Sequence, residues 1–307
     1  KEVFLIKDGE ITQGALIAAV ILGGRAMAPL GQLANVLSRA NNALAAYKSL
    51  SKLFQDGKNI SLEGHSISRG TLNGEIEFKN VDFQYGEDSE KIVDKLNIKI
   101  PCGQKVAIVG KMGSGKSTIA KLLSNSISPT HGSVLYDGVD IRQLDQEDLL
   151  RNVGTMPQEP WLFSGTIREN LQVGYPEYSD EHLLKIAKIG GVDEFVAQLP
   201  EGYDTRLREK GAGLSGGQKQ AISLSRALLH DPNILILDEP TSSMDQESEK
   251  KIVENLNLNA KDKTMIVITH RNALLSICDR VLVMEKGKVI ADNTPEQLGI
   301  KKLASSQ

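Results

Sequence analysis

The chain has 307 residues, 40% of them hydrophobic and 24% charged, a balance that excludes disordered and collagen-like classes and allows a sizeable core. With 36 Lys and Arg against 39 Asp and Glu the net charge is -3, so no overall field favours nucleic acid or an acidic membrane surface. Two cysteines, Cys102 and Cys278, and five scattered histidines suggest neither a disulfide framework nor a zinc site.

The sequence opens at Lys1 without a Met and reads as a piece of a longer polypeptide. Between residues 11 and 37 the only charged side chain is Arg25. A bilayer crossing needs about 20 mostly apolar residues at about 1.5 Å each. Residues 11–29 are a marginal candidate, interrupted by Arg25 and Pro29, with Gly14, Ala18, Gly23 and Gly24 small enough for close helix approach. The bland alternative is a buried soluble helix, or a membrane-proximal one whose Arg25 faces solvent. After Arg39 an amphipathic helix is expected, with Ala40, Leu44, Tyr47 and Leu50 or Phe54 at helical spacing and an end near Asp56-Gly57. Residues 58–74 lack periodicity and read as a linker, with a domain boundary near Asn73.

Strand patterns follow. Ile76 and Phe78 alternate, then Val81, Phe83 and Tyr85, then Leu96, Ile98 and Ile100, which predicts half-buried antiparallel strands. Residues 106–109, 234–237 and 265–268 are continuously apolar, as in strands buried on both faces, and helical segments separate them. That order predicts a mostly parallel sheet with helices on both faces, carrying an inserted helical subdomain at about residues 144–229.

The run Gly110, Lys111, Met112, Gly113, Ser114, Gly115, Lys116, Ser117, followed by Thr118, matches G-x-x-x-x-G-K-[ST] between a buried strand and a helix. The glycines let successive N–H groups point at phosphate oxygens, and the helix N-terminus adds positive potential. Lys116 would reach the β- and γ-phosphates and Ser117 would ligate Mg2+. Asp238 and Glu239 end a buried strand at its carboxyl edge, where open α/β sheets bind ligands. Asp238 suits the metal, and Glu239 suits a general base acting on water. A second anion site is written in Leu214, Ser215, Gly216, Gly217, Gln218, a capped glycine turn before a helix, without a lysine or metal ligands of its own.

Together these residues resemble the ATP-binding cassette (ABC) ATPases, over residues 75–298. The Leu214–Gln218 run is similar to that family's signature. The resemblance implies an α/β P-loop NTPase fold with a mostly parallel sheet core, an antiparallel β subdomain and a helical subdomain. It implies ATP and Mg2+ as cofactors and a head-to-tail homodimer, in which each signature faces the γ-phosphate held by the other copy. Gln158 is similar to the residue that contacts Mg2+ and links ATP to the membrane domain, Asp245 to the one that acts across the dimer, and His270 to the switch histidine. Tyr85 is similar to the aromatic on which adenine stacks, as a flat π-face allows.

Phe163-Ser-Gly-Thr-Ile-Arg-Glu-Asn170 and Leu199-Pro-Glu-Gly-Tyr-Asp-Thr205 resemble the exporter branch, in which the ATPase follows six membrane helices. The stretches around Arg25 and Pro29 and at Thr269-His270-Arg271 resemble type I protein secretion and peptide exporters. Residues 1–57 then read as the last transmembrane helix with its cytosolic extension, 58–74 as linker and 75–307 as the ATPase domain. The implied setting is a bacterial inner membrane with the ATPase on the cytoplasmic side. Implied partners are a transmembrane domain in the same full-length chain, a periplasmic adaptor and an outer-membrane channel. Where exporters carry a Gly-Glu pair before the signature, this chain has Leu207-Arg208-Glu209. A lipid or drug exporter would carry the same engine. A soluble ABC ATPase of DNA repair or translation would need a coiled-coil insertion, a tandem cassette or a basic surface.

Overall fold

The computed structural model describes residues 12–60, 66–86, 89–173 and 178–300. The chain divides into two compact units, Lys1–Glu63 and Gly64–Gln307.

The described residues of the first unit form one helix, α1 (Gln13–Ile60), with Pro29 inside it. Neither Pro29 nor Arg39 breaks the run, so the apolar stretch and the amphipathic segment after Arg39 lie in one helix. At Gly57 the cost of about 1 kcal/mol for a helical glycine is not enough to end the helix, which overruns the expected stop. Apolar side chains such as Val20, Val36, Tyr47 and Phe54 are exposed along it. Among the described residues no helix is long and apolar enough to cross a membrane. The span expected at residues 11–29 is not found among the described residues. Residue 11, where that span would begin, and linker residues 61–65 lie outside the described residues.

The second unit contains two main sheets. The antiparallel sheet comprises β1 (Ile76–Phe83), β2 (Val93–Ile100), β4 (His131–Tyr136) and β5 (Val139–Asp140), in the order β2-β1-β4-β5. The two alternations read around residue 80 belong to one strand. A register shift between Phe78 and Val81, with Asn80 at φ 47°, moves the inward positions from even to odd, so Ile76, Phe78, Val81 and Phe83 are all buried.

The larger sheet comprises β3 (Lys105–Gly110), β6 (Val153–Met156), β9 (Ile234–Asp238), β10 (Thr264–Ile268), β11 (Arg280–Glu285) and β12 (Lys288–Asn293). Their order is β12-β11-β3-β10-β9-β6, parallel throughout except for the β11–β12 edge hairpin. Side chains of β9 alternate between two cores. Ile234 and Ile236 pack with the antiparallel sheet and with α2 (Lys116–Leu123), whereas Leu235 and Leu237 pack with α4 (Ile167–Leu171), α5 (Asp180–Ile189) and α6 (Val192–Val196). These helices lie in a region that follows α3 (Gln146–Asn152) and β6 and holds the short pair β7 (Gly165–Thr166) and β8 (Arg206–Leu207). One face of the parallel sheet is thus covered largely by the second sheet rather than by helices alone.

Part of the expected linker is docked on this unit. Ile67 pairs with Leu144. Asp148 accepts from Ser68 Oγ (2.9 Å), Arg69 N (2.7 Å) and Gly70 N (3.0 Å), and Asp137 accepts from the amides of Asn73, Gly74 and Glu75. Side-chain carboxylates here replace a sheet ladder as the partners of backbone donors.

Candidate nucleotide site

The parallel strands β3, β6, β9 and β10 all deliver their carboxyl ends to one edge, and a cavity of about 410 Å3 lies there. It is lined by Met112 to Thr118, Gln158, Asp238, Glu239 and His270, together with Ile92 and Ile268.

The loop after β3 is shaped by glycine. Gly115 sits at φ 98° as the N-cap of α2, and a Cβ on it would stand 2.7 Å from the carbonyl oxygen of Ile92. At Gly110 a Cβ would meet the Met284 carbonyl oxygen at 2.3 Å. No side chain caps α2 and no acidic residue occupies its first turn, which leaves its amides and positive potential to whatever enters the cavity. The Lys116 ammonium folds back, donating to the carbonyls of Gly110 (2.6 Å) and Lys111 (2.9 Å).

Asp238 closes β9 and is buried. Its Oδ1 has no hydrogen-bond partner among the described residues. Burial pushes its carboxyl above the ordinary range, while a hydrogen bond from Ser117 and the charge of Lys116 pull it back. An orphaned buried oxygen beside a serine hydroxyl fits a divalent cation, which prefers oxygen donors and draws further ligands from phosphates and water. Among the described residues no cluster of three His, Cys, Asp or Glu could hold a metal by itself.

Glu239 adopts φ 50°, a left-handed conformation uncommon for a non-glycine. Burial raises its pKa above the ordinary value, the charges of His270, Lys116 and Arg271 oppose this, and Asp238 adds to it. His270 Nε2 stands 3.9 Å from Glu239 Oε1. Gln158 is exposed just beyond β6, at the cavity wall.

The remaining expected residues are elsewhere. Ser215, Gly217, Gln218 and Asp245 line a separate cavity of about 330 Å3 with Ser248 and Lys251, and the two cavities share no lining residue. Ser215 and Gln218 form a reciprocal capping box on α7 (Gly216–Leu228). Gly216 lets that helix approach Ser243, whose Cβ would be 2.8 Å from an added Cβ. Asp245 caps α8 (Gln246–Asn259), accepting from Glu247 N and Ser248 N. Tyr85 lines neither cavity: it is exposed, edge-on to Phe83 at 4.9 Å, with Lys121 Nζ 5.9 Å from its ring centre.

Sequence reasoning did not single out Gln220 or Arg226, and it read Arg271 only as part of the stretch resembling type I secretion exporters. Arg226, whose pKa burial pulls down to about 10, donates to Trp161 O and to Asn170, fixing the segment after Gln158. Nothing in a helical run of mixed polar and apolar residues marks such bonds, since the partners are distant in sequence.

The glycine loop, the strand-end carboxylates and the capped signature helix define a P-loop nucleotide-binding domain with a second, separate cavity at the signature. Residues 93–242 match the family model described as ABC transporter, and the domain they form belongs to that family. It is 38% identical over 294 residues to the Escherichia coli "Alpha-hemolysin translocation ATP-binding protein HlyB", covering 96% of this chain and 41% of the relative. The YgaD permease protein of Bacillus subtilis (strain 168), whose name assigns it provisionally to multidrug export, is 37% identical over 295 residues, with 96% and 51% covered. A solved structure of a bacterial Atm1-family ABC exporter with ATP bound superposes with a TM-score of 0.72 at 34% identity, over 77% of this chain and 41% of that one. The chain therefore spans about half the length of these relatives or somewhat less.

Proposed function

We propose that this chain hydrolyses ATP to drive export through a bacterial inner membrane, with the ATPase unit on the cytoplasmic side and a protein or peptide as cargo. The observation that carries the reading is the meeting of the Met112–Thr118 loop, Asp238, Glu239, Gln158 and His270 in one cavity.

In this reading the amides of Gly113, Ser114, Gly115, Lys116, Ser117 and Thr118 bind phosphate oxygens, and Gly110, Lys111 and Met112 complete the loop that holds them. Lys116 exchanges its loop carbonyls for the β- and γ-phosphates. Tyr85 stacks on adenine. Ser117, Asp238 and Gln158 would hold Mg2+, which neutralises phosphate charge. Glu239 takes the proton of the attacking water, helped by a carboxyl pKa that burial has raised toward the working range. His270, beside it, contacts the γ-phosphate.

Ser215, Gly216, Gly217, Gln218 and Asp245 act on the nucleotide of a second copy packed head to tail, which accounts for a signature cavity separate from the loop cavity. The loop at Gln158 passes the resulting motion to a transmembrane domain of the same full-length chain, working with a periplasmic adaptor and outer-membrane channel. The haemolysin relative supports this cargo class, and the provisional multidrug relative is about as similar, so a drug or lipid exporter is the competing reading.

Sedimentation of the Glu239→Gln variant tests the assembly: a dimer with Mg2+ and ATP and a monomer without nucleotide are expected, and a monomer in both removes the head-to-tail arrangement. Inside-out vesicles carrying the full-length protein separate the cargoes. ATP-driven uptake of a polypeptide supports secretion, whereas uptake of a lipophilic dye alone replaces it.

A further inference from the structure

The left-handed backbone of Glu239 raises the question of what holds it, since such a conformation persists only where its surroundings over-determine it. On one side the Glu239 amide donates to Ile268 O at 2.8 Å. On the other, the side-chain amide of Gln220, at the second turn of α7, donates to Glu239 O (3.2 Å) and to Ser242 Oγ (2.7 Å), and its Oε1 accepts from Ser243 N (2.9 Å). Gln220 is only 2% exposed, among apolar helix neighbours such as Ala221, Ile222 and Leu224. A buried amide is costly unless bonded, and here all its bonds go to one turn. The far side of that turn is held by Arg271, which donates to Ser242 O (2.8 Å) and to Glu249 (3.1 Å), while Glu249 also accepts from Thr241 Oγ1 (2.8 Å).

We propose that Gln220 is a positioning residue for Glu239, fixing the backbone from which the carboxylate reaches the attacking water. It does not line the nucleotide cavity, so it acts through Glu239 and not on nucleotide. Because Gln220 follows Ser215 on the same helix, it also joins the signature to the chain's own base by one side chain. The inference rests on the reading of Glu239 as general base.

Gln220→Met keeps the side-chain length and removes every bond. ATP turnover by the chain should fall about 10- to 100-fold, the cost of a misplacement of about 1 Å, with KM for ATP within about threefold of the parent. Combined with Glu239→Gln, it should lower the residual rate no further. An unchanged kcat in Gln220→Met, where Glu239→Gln alone does slow turnover, overturns the proposal, as does an equal loss in both backgrounds. If Glu239→Gln alone leaves turnover intact, the general-base reading fails, and amide exchange then decides whether Gln220 anchors the turn. Faster exchange confined to residues 239–243, with α7 still protected, supports anchoring, and unchanged protection overturns it. Should Gln220→Met not fold, Gln220→Glu, which keeps the acceptor for Ser243 N and loses both donors, is read by the same measurements with the same expectation.

Discussion

The imidazole of His270 and the carboxylate of Glu239 face each other across 3.9 Å at the ends of two neighbouring parallel strands, β10 and β9, whose register pairs Ile268 with Asp238. Two residues 31 positions apart are thereby brought to one point by sheet pairing. His270→Ala removes the positive charge that opposes the upward shift of Glu239. The acid limb of the kcat–pH profile should move to higher pH, because Glu239 then protonates earlier as pH falls. A limb that stays put or moves down separates the two residues.

Glu239→Gln should reduce ATP turnover by about 10²- to 10⁴-fold, the usual worth of a general base. ATP binding, followed by equilibrium titration, should persist, since the phosphate cradle is untouched. An unchanged rate removes Glu239 from the chemistry.

Lys116→Met leaves the loop carbonyls of Gly110 and Lys111 without their donor and removes the cation offered to phosphate. A charge-assisted hydrogen bond is worth about 1.5–3 kcal/mol, so ATP affinity should drop by roughly 10- to 100-fold. Isothermal titration checks this, and equal affinity would mean that Lys116 stays on its loop carbonyls.

Two loop glycines should respond differently. At Gly115, φ 98° combines with an Ile92 carbonyl 2.7 Å from any Cβ, whereas Gly113, at φ 79°, has open space around it. Gly115→Ala should therefore lose nucleotide binding, while Gly113→Ala pays only the left-handed penalty of about 1–2 kcal/mol. Comparable binding by the two variants would show that the close approach at Ile92 does not matter.

Asp148 anchors residues 68–70. Although burial alone would raise its pKa, the amides of Gly70 and Arg69 and the Ser68 hydroxyl hold it below the ordinary carboxylate range. Its contribution is then present above the unfolded-state pKa and lost as pH falls through the lowered folded value. Asp148→Ala should cost about 1–3 kcal/mol at neutral pH, several degrees in Tm, and this difference should shrink in acid. Thermal unfolding across pH tests it: a gap that widens in acid contradicts the sign.

Local patterns carried much of this protein. The glycine spacing from Gly110 to Ser117, the Asp238-Glu239 pair and the apolar runs of β3, β9 and β10 are contiguous, and their geometry depends on near neighbours, so sequence alone determined the glycine loop and the mostly parallel sheet. Tertiary structure decided what depends on distant partners. It joined two strand alternations through the bulge at Asn80, ran α1 through Pro29 and docked residues 68–70 onto Asp148 and 73–75 onto Asp137. It also kept the signature cavity apart from the loop cavity and set Gln220 and Arg271 on either side of the Glu239 turn. These arrangements come from hydrogen bonds and sheet pairings between residues far apart in the chain, whose energies no local periodicity records.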